Sequence, residues 1–191
     1  LDSFQLMHAD QQSAATMRLL PFLQKTTSDH PLAAAAQAEL RDFRGAMRVD
    51  AAAPLIYTAW VDAFTRRVVG ERLGQARFEG MYGKRLFRNA VEGILERNDT
   101  GWCGTAGCAA ASSAALTDAL TRLQAVHGDD VSAWRWGDAH IAEQDNQVLG
   151  KVPGLKWFVN IRQSTSGGDF TLKLAEPLLF LLSLRLQAWC R

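Results

Sequence analysis

The chain has 191 residues, enough for one domain with a sizeable buried core, and 48% of them are hydrophobic against 21% charged. That balance is that of an ordinary folded protein and excludes disordered and collagen-like chains. With 21 Lys and Arg against 20 Asp and Glu, no basic excess argues for nucleic acid as a partner.

The sequence opens at Leu1 rather than at methionine, with no charged-then-apolar leader. The expectation is a start inside a larger gene product, after a cleavage, or from an incomplete reading. Phe4, Met7, Ala14, Met17, Leu20 and Leu23 recur at the three-and-four spacing of one apolar helix face. Pro31 is placed to open an alanine-rich second helix, and Gly45 to stop it. Pro54 opens a third run whose buried side is Leu55, Ile56, Trp60, Phe64 and Val68, with Gly70 and Gly74 loosening its end. A helix is predicted over 79–97 through Leu86, Phe87, Val91, Ile94 and Leu95, then a loop over NDTGWCGTAGC. Ser112 or Ser113 is the predicted cap of a helix carrying Leu116, Leu120, Leu123 and Val126.

After Gly128 the helical period is lost, and only WFVNI and DFTLKL alternate like strands. The tail PLLFLLSLRLQAWC is shorter than the roughly 20 residues that span a bilayer, and Arg185 interrupts it, so no membrane anchor is expected. The predicted class is mainly α: helices over 1–127, a loop-rich arm over 128–172 and an apolar tail over 173–191.

Cys103 and Cys108 lie in WCGTAGC, whose two glycines let a small loop close. A local disulfide in an oxidising compartment is one reading and two inert thiols the other. No second cysteine or histidine pair completes a zinc site. No nucleophile elbow, phosphate-binding glycine loop or HExxH is present, and Gly167-Gly168-Asp169 precedes an extended piece rather than a helix.

His8 and Asp10 are two apart, which puts them on different sides of a helix. In WRWGDAH, Trp134 to His140, the His140–Asp138 pair suggests an oriented base, yet it lacks a nucleophile and an oxyanion hole. A small hydrolase using His140 with Ser164 or Ser166 is therefore the weakest functional reading. Asp129, Asp130 and Asp138 lack the spacing of a calcium loop. The two tryptophans suit packing of a loop across helices, with Arg135 stacked on a ring.

Three stretches in order carry a resemblance. LDSFQLMHADQQSAATMRLLPFL is similar to a Q-x-D-x-x-S-x-x-A helix, matching at Asp10, Ser13 and Leu20-Pro21, with His8 in place of glutamine. LRDFRGAMRVDAAAPLIYTAW resembles a second signature, keeping Gly45, Asp50 and Trp60 while Phe43 and Arg44 replace tryptophan and aspartate. WRWGDAH, VPGL and SGGDFTL resemble W-x-W-G-x-x-H and G-G-D-x-T-x-N, with Lys173 in place of the asparagine. Together they resemble the penicillin acylase family of N-terminal-nucleophile hydrolases over residues 1 to about 172.

The resemblance implies a helical segment of the αββα large subunit of an amidase that cleaves acyl–amine bonds in penicillins, cephalosporins or acyl-homoserine lactones. It implies a terminal serine nucleophile with its own amine as base, and an oxyanion hole of a backbone N–H and an asparagine. Those groups lie upstream of the first matched motif, so no catalytic residue is assigned here, and substrate-binding residues are unassigned. The calcium often bound in the family is held outside this segment, leaving no cofactor within it. Expected partners are the small subunit and the nucleophile-bearing segment, and the family suggests a periplasmic location. The departure after Leu172 reads as a truncated or frame-shifted end. The alternative is a non-catalytic helical binding remnant of the family.

Overall fold

A computed structural model describes residues 10–82, 84–168 and 171. Phe4, Met7 and His8, the side chain of Leu86, the tail and most of DFTLKL lie outside the described residues.

The described residues are mainly helical. Helix α1 (Thr16–Lys25) turns Leu19, Leu20 and Leu23 inward, and α2 (Ala33–Arg41) buries Ala36 and Leu40. The axis of the molecule is α3 (Ala53–Thr65), in which every residue but Thr58 is buried, so it is apolar on all sides as a central helix must be. It runs on into a π-helix at Arg66–Gly70 and then α4 (Glu71–Leu73). Next come α5 (Gln75–Tyr82), α6 (Arg85–Glu96), α7 (Thr100–Cys103) and the long α8 (Gly107–His127).

Packing of α3 against α8 forms the heart of the core. Ala111, Ser112, Ala115 and Ala119 of α8 are small, which lets the bulky face of α3 with Tyr57, Trp60 and Phe64 approach closely. Trp60, fully buried, donates its indole N–H to Ser112 Oγ at 3.1 Å, and that hydroxyl pairs with Thr26 Oγ1 at 2.6 Å. One buried polar chain thus fastens the end of α1 to α3 and α8.

A 3-10 turn (Val131–Ala133) leads to α9 (Trp136–Ala139) and β1 (Ile141–Gln144). A second 3-10 turn (Leu149–Lys151) and α10 (Lys156–Val159) precede β2 (Ile161–Ser164). The two strands pair antiparallel, Ile141 opposite Ser164 and Gln144 opposite Ile161.

Several expectations need correction. The helix predicted over 79–97 is two, α5 and α6. The predicted loop contains α7 and the first turn of α8, so α8 starts before Ser112, which bonds Trp60 instead of capping. Pro31 precedes the N-cap Leu32, and Gly45 lies past the end of α2, in a turn of its own at φ +85°. Met17, near the start of α1, and Val126, near the end of α8, are exposed rather than part of the buried faces. In WFVNI, Trp157 to Val159 form α10 and the strand begins only at Ile161.

Cys103 at the end of α7 and Cys108 in the first turn of α8 are joined as a disulfide. Asn98, in the left-handed region at φ 46°, accepts the Cys108 N–H on its side-chain oxygen at 3.0 Å and so sets the approach. Closing so short a loop removes chain entropy equivalent to about 2 kcal/mol. Reduction, or Cys103→Ala with Cys108→Ala, is therefore expected to lower unfolding stability by about 2 kcal/mol. A urea titration with and without reductant measures this; coincident curves would show that the bridge contributes nothing.

Candidate functional site

The three sequence signatures, far apart in the chain, meet on one short segment, residues 45–51. Ser13 of the first signature donates its backbone N–H to Gly45 O at 2.9 Å, Gln12 and Ala46 form a β-bridge, and Met47 N–H reaches Gln11 O at 2.9 Å. Asp10 supports this turn by accepting the Gln12 N–H at 2.8 Å. A Cβ on Gly45 would lie 2.9 Å from Ser13 O, so the close approach needs glycine on steric as well as conformational grounds.

The opposite side of the segment holds the tryptophan loop. Trp136 N–H reaches Ala51 O at 2.9 Å and Gly137 N–H reaches Val49 O at 2.8 Å. The Gly167 N–H reaches Met47 O at 2.8 Å, and Val49 N–H reaches Ser166 Oγ at 2.9 Å. Trp136 closes the arrangement by donating its indole N–H to Gly167 O at 2.8 Å. Segment 45–51, which holds one β-bridge and a turn, is thus a spine hydrogen-bonded to both the first signature and the tryptophan loop.

His140 is 2% exposed, stacks on Trp136 at 4.8 Å between centroids and bonds Thr165 O through Nδ1 at 2.8 Å. Ser164 Oγ donates to Gly137 O at 2.7 Å, while Ser166 Oγ serves Val49. These side chains knit the loop together. Asp138, paired with His140 by sequence proximity, instead faces His127 Nδ1 at 4.0 Å. Trp134 is buried and donates to Gly128 O at 3.1 Å, and Arg135 turns to the carbonyls of Ser132 and Trp134 rather than stacking on a ring. The contacts of WRWGDAH thus join it to residues 49–51 and 164–167.

Gly137 is the tightest point. A Cβ there would lie 2.4 Å from Val49 Cγ2 and 3.0 Å from Ser164 Cβ. Gly137→Ala is expected to cost about 2 kcal/mol by overpacking, with part recovered in the Gly137→Ala, Val49→Ala double variant. Denaturant midpoints of the three variants read this out, and a neutral single variant would mean that the seam is slack.

Burial pushes the His127 imidazole below its ordinary 6.5, with Asp138 opposing. Folded His127 binds a proton less readily than unfolded His127. Its contribution is therefore complete above pH 6.5 and declines as pH falls below that value toward the folded-state pKa. His127→Gln is expected to flatten the loss of stability as pH falls below about 6.5, followed as the urea midpoint against pH. An unchanged slope would assign the acid sensitivity elsewhere.

A second polar centre went unnoticed in the sequence. Asp62 of α3 accepts from Arg66 Nε at 3.0 and 3.1 Å, from Arg122 of α8 at 3.0 Å and from the Tyr82 hydroxyl of α5. Burial, then the Asp62 charge, pushes the Tyr82 phenol well above its ordinary value, so it acts as a fixed donor. The Arg66 guanidinium also lies 5.3 Å over the Phe78 ring and 5.4 Å over Tyr82. A cleft of about 680 Å³ opens beside this centre, lined by Arg66, Arg67, Gly70, Phe78, Asp118 and Arg122. The i,i+4 spacing of Asp62 and Arg66 was the one signal available; Tyr82 and Arg122 come from remote helices. Near the other end of α3, buried Glu92 pairs with Arg18 at 3.0 Å and Arg88 at 3.5 Å, and Arg88 donates to the Tyr57 hydroxyl.

Among the described residues no group of three His, Cys, Asp or Glu is placed to hold a metal ion. None of their helices is long and apolar enough to cross a membrane. The penicillin amidase family model matches residues 1–180. The chain belongs to the penicillin amidase family. No curated protein matches it. What the geometry adds to this membership is the junction: the signatures of a penicillin amidase chain are mutually bonded parts of one framework around residues 45–51.

Proposed function

We propose that this chain is the helical part of the large subunit of a penicillin-acylase-type amidase, one that hydrolyses the amide bond between an acyl side chain and an amine. Water is consumed, and a carboxylic acid and a free amine are released. The serine nucleophile is supplied by another segment of the enzyme, and WRWGDAH with residues 45–51 serves as a positioning framework behind the acyl pocket. The compartment that fits the family and the cysteine bridge is the periplasm.

The observation that carries this reading, beyond family membership, is the exposed apolar arm. Val148, Leu149, Trp157, Phe158 and Ile161 are 43–86% exposed on one short stretch. An apolar patch of that kind marks a surface covered by something else. The remaining segments of the acylase are the natural cover.

The test is to sequence the DNA flanking the reading frame and express the chain with the serine-initiated segment found there. The pair is then assayed on chromogenic amides bearing phenylacetyl, glutaryl and long-chain acyl groups. The expected result is hydrolysis by the pair and none by either part. A chain that folds cooperatively as a monomer, leaves the serine-initiated segment unbound and yields no amidase would instead identify a non-catalytic binding remnant.

A further inference from the structure

We propose that the Cys103–Cys108 bridge is a redox latch: a dithiol opens it in the folded protein, and opening releases α7 from α8 and the π-helix while the core stays in place. The starting point is how little else holds α7. It has four residues, none of them buried. A helix of one turn does not persist alone in water, because nucleation costs more than so few bonds return. The amides of Trp102 and Cys103 bond Asp99 O, and that of Gly104 bonds Thr100 O, all within the same turn. Beyond them, Trp102 and Cys103 rest partly buried against the core, and the Arg72 guanidinium lies 6.0 Å over the Trp102 ring. The bridge ties this turn to α8.

The joined cysteines are only five apart in sequence, so the bridge restrains little of the unfolded chain. The core that runs from α1 to α8 is held by its own apolar contacts, and the chain stays folded when the bridge opens. The two sulfurs are unlike. Cys103 is partly exposed, whereas Cys108 is buried, so a thiolate from solvent reaches Cys103. Cys108 lies in the first turn of α8, a helix of 21 residues whose start has no side-chain cap and no acid. The helix amides favour departure of its sulfur as thiolate. Once protonated, the thiol finds acceptors in place, with Ile94 O 3.6 Å and Asp99 O 3.8 Å from Cys108 Sγ. Cys108 is thus accommodated in both states, and α7 is the part that moves.

The exchange balances. One thiolate of the dithiol attacks Cys103 Sγ, the S–S bond breaks, and its electron pair leaves on Cys108 Sγ. The second thiol of the reagent gives up its proton, attacks the mixed disulfide and expels the Cys103 thiolate. Both cysteines take up protons, and the dithiol is oxidised to a disulfide. Because α7 packs against the π-helix and holds Arg72 through Trp102, its release loosens the segment that carries Gly70 and Glu71, one wall of the cleft beside Asp62.

The test is hydrogen exchange at single amides of the full chain, in a Cys190→Ser background so that a third thiol takes no part, with dithiothreitol as the dithiol. In native buffer the bridge is expected to open. The amides of Trp102, Cys103 and Gly104 should then exchange about tenfold or more faster, while those of Leu116, Leu120 and Leu123 keep their protection. Cys103→Ser, which opens the latch without reagent, is expected to give the same pattern. Removing the dithiol and adding oxidised glutathione should restore the closed pattern in the parent.

A bridge reduced only in urea that unfolds the chain would overturn the latch and leave a structural staple. Reduction that leaves Trp102, Cys103 and Gly104 as protected as before would overturn it too, since α7 would be held without the bridge. Protection lost in α8 together with α7 would show that opening is global unfolding, which is equally contrary to a latch.

Discussion

Trp60→Ala is expected to destabilise the chain by about 4 kcal/mol, the largest effect of any single change considered. Trp60 is fully buried at the contact of α3 and α8, and its ring packs 6.3 Å from Tyr57 and 6.0 Å from Phe64. Truncation removes a large apolar surface and leaves a void that the flanking helices, held by their own contacts, only partly fill. It also strips Ser112 of the indole donor, although Ser112 and Thr26 can still satisfy each other. Trp60→Phe separates the two contributions, keeping most of the volume while deleting the N–H, and should cost about 1–2 kcal/mol. Urea unfolding followed by far-UV circular dichroism measures both. A loss below about 1 kcal/mol for the alanine variant would mean that the core re-forms around the gap, contrary to a rigid α3–α8 seam.

Asp62→Ala is expected to cost about 3 kcal/mol. The carboxylate is the common acceptor of Arg66, Arg122 and Tyr82, so its removal leaves three donors around a missing anion. Breaking a fully buried pair from one side costs about 3–5 kcal/mol. The lower end applies here because the Arg66 and Arg122 side chains are 24% and 30% exposed, and water reaches part of each guanidinium. Asp62→Asn keeps the shape and loses the charge, so it should lie between the parent and the alanine variant. Because the acid is only 10% exposed, the effect should persist in about 0.5 M salt, where surface pairs are screened. Stability restored or unaffected at high salt would show that Asp62 acts as a surface charge.

The helical class was legible because Leu20 and Leu23 of α1, Leu55, Ile56, Trp60 and Phe64 of α3 and Leu116, Leu120 and Leu123 of α8 fall at helical spacing and are buried, although Met17 and Val126 are not. The boundaries were less so. Residues 98–108 look like a glycine-rich loop, yet a cysteine bridge and the Asn98 cap hold two helix ends together there. Lys84 falls inside the single helix predicted over 79–97, yet it lies between the end of α5 at Tyr82 and the start of α6 at Arg85. The strand in WFVNI was misplaced because alternation over so few residues does not distinguish a strand from one helical turn.

At the site, sequence order identified the signatures but not their contacts. That Gly45, Val49 and Ala51 lie between Ser13 and Gly137 depends on backbone hydrogen bonds, which no side-chain pattern reports. The Asp62 centre was hidden for a related reason: of its partners only Arg66 is near in sequence. Proximity along the chain was misleading in one case, pairing Asp138 with His140 when the fold turns it toward His127.

The bond between Val49 N–H and Ser166 Oγ joins residues 117 apart. Seen as a folding problem, the 45–51 spine is a closure of high sequence separation. The loop entropy of this closure must be met before the bonds to the tryptophan loop form, whereas the bonds to Gln11 and Ser13 close shorter loops. During synthesis residues 10–127 leave the ribosome first and can collapse on α3 while the arm is still being made. The bonds of the spine to Trp136, Gly137, Ser166 and Gly167 can form only once those residues have been made, so the arm is the last part to join the junction during synthesis.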